Sequence, residues 1–141
     1  MTRHRRIALD SCIFIYELDE NARYLPLADD IFGWLEHANS QAFTSTLTMT
    51  DVLVQPYRLD DRSRVNRFYN LLSTYPNLVW ISPDLKIADI AARIRAQHRL
   101  RTPDAIQAAT AIHSRVTALI TNDPIFARVP DFDTLVLDQL L

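Results

Sequence analysis

The sequence predicts an α/β domain, a three-layer α/β/α sandwich around a mainly parallel sheet. Three observations predict it. Short apolar runs of strand length, such as R-I-A-L, N-L-V-W-I and A-L-I-T, recur along the chain. Segments with apolar residues at helical spacing separate them. Proline, serine and threonine stand where elements start or stop. Strands alternating with helices favour parallel pairing through crossover connections.

The elements follow in order. Residues 6–10 read as a short buried strand ending at Asp10. Residues 26–37 read as a helix with Leu27, Ile31, Trp34 and Leu35 on one face. Residues 41–44 suit a second strand, and 48–55 a helix that Pro56 stops. Over 61–74, Val65, Phe68, Tyr69 and Leu72 recur at helical spacing. Residues 77–81 form a strand. Ser82-Pro83 then reads as a cap with proline in the first turn, opening a helix that buries Ile87, Ile90, Ala91 and Ile94. Thr102-Pro103 repeats that signal, and Ala105, Ala108, Ala109 and Ile112 give a small-residue face fit to lie close to a sheet. Residues 118–121 and 135–137 complete the strands. There are no repeats and no linker, so the 141 residues are expected to form one domain over 1–141.

Composition excludes several functions. The chain is 48% apolar with a net charge of −2, so any site for a polyanion must be local. A single glycine, Gly33, rules out a glycine-rich phosphate loop. One cysteine, Cys12, rules out an intramolecular disulfide and suits a reducing compartment. His4, His37, His98 and His113 show no zinc-ligand spacing with one another or with Cys12. The basic start M-T-R-H-R-R, with its Arg5-Arg6 pair, is followed by an apolar run too short and too soon broken by Asp10 for a signal peptide. No stretch is long enough to span a membrane, and a cytoplasmic location is expected.

Four acids stand where such folds bind ligands, beyond the carboxyl ends of the strands. Asp10 ends the first strand and Asp123 follows A-L-I-T. Asp104 opens a helix, and Asp51 lies in the first turn of another. Each also has an ordinary structural role. Asp10 suits a cap, Thr48-Met49-Thr50-Asp51 a capping box, Asp104 the positive end of a helix dipole, and Asn122-Asp123-Pro124 a turn. Together on one rim they would repel, and a divalent cation removes that cost. Oxygen ligands suit Mg²⁺ or Mn²⁺. The run R-I-R-A-Q-H-R-L-R leads into Asp104. It offers Arg95, Arg99 and Arg101 as phosphate contacts, with Arg95 and Arg99 on one helix face. Arg62, Arg64 and Arg67 are interleaved with acids and read as surface.

These residues resemble a known pattern. A-L-D-S-C-I-F, S-T-L-T-M-T-D-V-L-V-Q-P, R-T-P-D-A-I-Q-A-A-T-A-I and L-I-T-N-D-P-I-F stand in the order of the four blocks of PIN-domain proteins, and the chain resembles the VapC-type toxin nucleases among them. The resemblance implies an Mg²⁺-dependent endoribonuclease in which an activated water hydrolyses the phosphodiester, leaving a 5′-phosphate. It implies metal contacts from Asp10, Asp104 and Asp123, direct or through water, and a water-orienting or water-bridged role for Asp51. It further implies inhibition by a small antitoxin, and a homodimer. Two positions depart from the pattern: Asp51 stands where glutamate is usual, and Ile125 where another acid often precedes the phenylalanine.

Alternatives fare worse. A receiver-like domain needs a lysine after a late strand, and the one lysine, Lys86, opens a helix. An Asp-x-Asp phosphatase needs an acid where Cys12 stands. Nothing supports acyl transfer. The remaining competitor is a degenerate PIN-like domain that binds protein or RNA without cleaving.

Overall fold

Alternation in the strands decides the layering. A computed structural model describes residues 4–37 and 39–141; Met1, Thr2 and Arg3 of the basic start lie outside the described residues. Five strands, β1 (Arg6–Leu9), β2 (Gln41–Ser45), β3 (Leu78–Ile81), β4 (Ala118–Thr121) and β5 (Asp133–Val136), pair in the order β3-β2-β1-β4-β5. Every pairing is parallel. Successive side chains point to opposite faces. Ile7, Leu9, Ala42, Ala118 and Ile120 therefore join one core, and Ala8, Phe43 and Leu119 the other. Both faces are covered, which is why β1 and β4 carry almost unbroken apolar runs.

On the first face lie α1 (Ser11–Leu18), α2 (Leu25–Leu35), α3 (Leu47–Arg58) and α4 (Arg62–Ser73). On the second lie α5 (Leu85–His98) and α6 (Thr102–His113). The alanines of α6 are fully buried, and that helix packs on β1 and β2 as its small-residue face predicts.

The structure corrects the sequence reading in five places. Helix α1 was not expected. It buries Ile13 and Phe14 and half-buries Cys12, Ile15, Tyr16 and Leu18, so it is apolar nearly all round and shows no helical period. Helix α3 continues through Pro56 to Arg58. Pro56 falls in the last turn, where it costs a single hydrogen bond, and it is buried. Leu59 N still donates to the Gln55 carbonyl at 3.0 Å. Ser82-Pro83 does not open α5; Asp84 does, its side chain accepting from Ile87 N at 3.0 Å. Tyr69 of α4 is 51% exposed, while Val65, Phe68 and Leu72 are buried. The last strand starts at Asp133, and Leu137 opens a 3-10 turn.

With one glycine in the chain, helix and turn ends use other residues. Six non-glycine residues among those described take positive φ, Asn77 and Arg99 among them. Asn77 gives something in return: its Nδ2 donates to the Leu35 and His37 carbonyls beyond α2, at 2.8 and 3.2 Å.

Because Asp84 and not Ser82 caps α5, the two substitutions separate cleanly. Asp84→Ala is expected to cost about 1 kcal/mol in urea unfolding, and Ser82→Ala to stay within about 0.5 kcal/mol of the wild type. Equal effects would contradict the assignment.

Candidate active site

Parallel pairing puts the ends of β1, β2 and β4 on one rim. The ladder runs one residue past β1, since Asp10 N donates to the Ile120 carbonyl at 3.0 Å. Asp10 then caps α1, its Oδ1 accepting from Ser11 N at 2.9 Å. Its Oδ2 accepts from Thr121 Oγ1 at 2.7 Å. The same Thr121 oxygen accepts from Asp123 N at 3.0 Å. Asp123 caps a 3-10 turn, Pro124–Arg128, through its Oδ1 and Ile125 N at 3.0 Å.

Asp104 is different, for its carboxylate is not spent on a cap. Arg101 is the N-cap residue of α6 and makes no side-chain cap bond, with Pro103 in the first turn. Asp104 Oδ2 is buried and has no hydrogen-bond partner. Arg101 Nε lies 3.5 Å away as an ion pair without hydrogen-bond geometry, on a side chain that is 83% exposed. Solvent around the arginine weakens that pair.

Asp51 sits on the fifth residue of α3 and is exposed. The expected capping box is absent. Thr48 is buried inside the helix, where its Oγ1 meets Thr44 Oγ1 and Gln107 Nε2, each at 2.7 Å. Asp51 also lines a small pocket with Asp19, Gln55 and Arg64. That pocket adjoins a groove of about 730 Å³ lined by Leu18, Gln55, Arg64, Arg67 and Leu71 among others. The groove runs beside the rim and contains none of Asp10, Asp104 and Asp123. Arg64 lies there 3.8 Å from Asp61, with both side chains partly open to solvent.

The acids interact along an arc. Burial raises the Asp10 pKa above its ordinary 3.8; the Thr121 and Ser11 hydrogen bonds lower it, and the charges of Asp104 and Asp123 raise it further. Asp104 is also raised, first by burial; Arg101 opposes this, and Asp123 and Asp51 add to it. The charges of Asp104 and Asp123 thus act on Asp10, and those of Asp123 and Asp51 on Asp104. Burial and the Asp10 charge push the Cys12 thiol up to about 12, so it stays protonated and offers no thiolate.

The predicted arginines divide. Helix α5 ends at His98, so Arg99 is a left-handed C-cap residue (φ 59°) and does not share a helix face with Arg95. Arg95 is exposed, but its Nε is engaged, donating to the Leu100 carbonyl at 3.2 Å. Arg101 and Arg99 remain exposed at the mouth of α6.

The donor set fits a hard divalent cation in one respect and limits it in another. It is all oxygen, includes an orphaned buried carboxylate oxygen, and carries repulsion that a cation would relieve. Yet no three His, Cys, Asp or Glu residues among those described form a group able to hold an ion. The residues suit an ion held by few carboxylates and completed by water, the usual habit of Mg²⁺. They do not form a closed protein cage.

Residues 7–131 match the family model of the PIN domain. The chain belongs to the PIN-domain family. This PIN domain resembles several solved structures. One is a toxin–antitoxin complex from Klebsiella pneumoniae, at 24% identity and TM-score 0.70, covering 93% of this chain and 97% of that one. Another is VapBC2 from Rickettsia felis bound to a promoter DNA fragment, at 15% identity and TM-score 0.69, covering 92% and 96%. A third is FitAcB from Neisseria gonorrhoeae, at 17% identity and TM-score 0.68, covering 93% and 97%. At these identities the likeness establishes the fold. No curated protein matches the sequence. No helix among the described residues is long and apolar enough to cross a membrane.

Two sets of polar residues were not legible in the sequence: Thr121, which donates to Asp10, and the buried Thr44, Thr48 and Gln107, which bond to one another beside the strand ends. Spacing offered a partial signal, since Thr48 precedes Asp51 and Gln107 follows Asp104 by one helical turn.

The raised pKa values carry a consequence for stability. A carboxyl whose folded pKa exceeds its unfolded value binds its proton more tightly when folded. The associated stability is full below the ordinary value of 3.8 and is lost as pH rises through the raised value. In EDTA at pH 7, Asp104→Asn is therefore expected to melt above the wild type, with the gap narrowing as pH is lowered toward 3.8. A lower melting temperature at pH 7 would count against net repulsion at the rim.

Proposed function

We propose that this PIN domain is a divalent-metal-dependent endoribonuclease and the toxin of a toxin–antitoxin pair. The observation that carries the reading is Asp104 Oδ2, buried without a hydrogen-bond partner, on a carboxyl group whose charge acts on Asp10 and on which the charges of Asp123 and Asp51 act. Family membership and the toxin–antitoxin complexes among the structural neighbours support it.

Asp10, Asp104 and Asp123 would hold Mg²⁺, with Mn²⁺ as a substitute, directly or through water. Asp51, exposed and one methylene shorter than glutamate, would act through water. When bound, the ion supplies a water acidic enough to attack at neutral pH and offsets charge on the phosphate. The protein's own groups do the rest. Ser11 N–H and Thr121 Oγ1–H fix the Asp10 carboxylate, with the Cys12 thiol a weak second donor to Oδ2 at 4.0 Å. The N-terminal end of α6 favours the ionised form of Asp104, as a ligand requires. Arg99 and Arg101 stand exposed beside it to meet phosphates of the RNA backbone. Arg95, bonded to Leu100, has a smaller part. A small antitoxin as inhibitor, a homodimer and a cytoplasmic location belong to the same reading.

A second reading is a binding module that has lost catalysis. The absence of a three-carboxylate group among the described residues, with Asp51 and Ile125 at departing positions, favours it.

Cleavage of RNA by the purified protein, with and without Mg²⁺, decides between them. The wild type is expected to cleave only with the ion. Asp104→Asn is expected to lose about a hundredfold or more in kcat/KM, equivalent to about 2.7 kcal/mol. Equal cleavage by both would sink the site. No cleavage by either across a broad RNA panel would favour the binding module.

A further inference from the structure

We propose that Thr48 and Gln107 are positioning residues, which fix Asp51 and Asp104 relative to Asp10 through a one-way chain of buried hydrogen bonds. The proposal rests on the nuclease reading above.

The direction of the chain follows from hydrogen counting. Thr44 Oγ1 donates to the Leu9 carbonyl at 2.8 Å. A hydroxyl has one hydrogen to give, so the 2.7 Å contact between Thr44 and Thr48 must use the hydrogen of Thr48. Thr48 Oγ1 is then free to accept, and Gln107 Nε2 donates to it at 2.7 Å. The amide cannot be reversed, because Ser45 N donates to Gln107 Oε1 at 3.3 Å. Every hydrogen points the same way, ending on the carbonyl of the residue before Asp10.

Nothing on this path reaches water. Thr48 and Ser45 are 0% exposed, Thr44 is 1% and Gln107 is 6%. Reversing or breaking one link would leave a buried group unpaired. The path also touches each element that carries a rim acid on this side. Leu9 precedes Asp10, Thr48 lies three residues before Asp51 on α3, and Gln107 lies three after Asp104 on α6. Residues three apart share a helix face. The Thr48–Gln107 bond therefore joins α3 and α6 at points one turn along each helix from Asp51 and Asp104, and the Asp51 charge acts on Asp104. Packing alone does not require it. The neighbouring buried positions of α6 include Ala105, Ala108, Ala109 and Ala111, whereas Gln107 uses both ends of its amide, accepting from Ser45 N and donating to Thr48 Oγ1.

The test uses the full chain and two readouts: Mn²⁺ affinity by electron paramagnetic resonance, and kcat and KM for RNA cleavage. Thr48→Val keeps the shape and removes the hydroxyl. It is expected to weaken Mn²⁺ binding by about tenfold or more and to lower kcat with little change in KM. Thr48→Ser keeps the hydroxyl and is expected to restore both. Gln107→Glu replaces the donating amide nitrogen while keeping an acceptor for Ser45 N, and serves if Thr48→Val does not fold. A lower melting temperature with unchanged Mn²⁺ affinity and kcat would overturn the positioning role and leave the nuclease reading standing. A wild type that neither binds Mn²⁺ nor cleaves RNA would overturn the nuclease reading, and the proposal with it.

Discussion

Parallel pairing of β1 with β2 and β4 is the constraint on which the rest depends. In a parallel sheet all carboxyl ends lie on one edge, and the helices that return the chain begin near that edge. Strand ends and helix starts therefore crowd together. Asp10 leaves β1 there, α3 begins there after β2, and Asn122-Asp123 follow β4. The hydrogen bond from Asp10 N to Ile120 carries the ladder one residue beyond the regular strand, so Asp10 is still held by the sheet when it begins α1.

Crowding acids at such an edge has a cost, and the fold meets it only in part. Asp10 is compensated by Thr121 and Ser11, and its cap to α1 is a structural role that leaves room for a second one. Asp104 is left with a buried oxygen and an exposed arginine 3.5 Å away. Natural proteins violate local rules mainly at functional positions. The buried chain from Gln107 to Leu9 points the same way, because buried polar groups that are fully paired give rigidity rather than bulk stability.

How much of this was legible in the sequence depended on the kind of signal each part sends. β4 and α4 announce themselves through apolar runs or a strong helical period, and the structure places them almost where periodicity does. Helix α1 sends no such signal, because it is packed on most sides. Pro56 misleads because its effect is local and its burial is not visible in the sequence. Asp84 was overlooked because Ser82-Pro83 offered an earlier, equally good start.

For the rim, the four acids could be read from their positions beside strands, and the charges of Asp104 and Asp123 act on Asp10. Thr44, Thr48, Gln107 and Thr121 stayed hidden because a polar residue in a sequence reads as surface until the fold encloses it. Arg95 and Arg99 illustrate the opposite error. Four-residue spacing suggests a shared face only while the helix lasts, and α5 ends one residue short of Arg99.

The central claim is that this rim holds a divalent ion, and anomalous diffraction from crystals grown with Mn²⁺ tests it most directly. The account predicts a peak on the order of 2 Å from carboxylate oxygens of Asp10 and Asp104, with water completing the coordination. Crystals with no peak at these residues, or with the ion seated elsewhere, would contradict it.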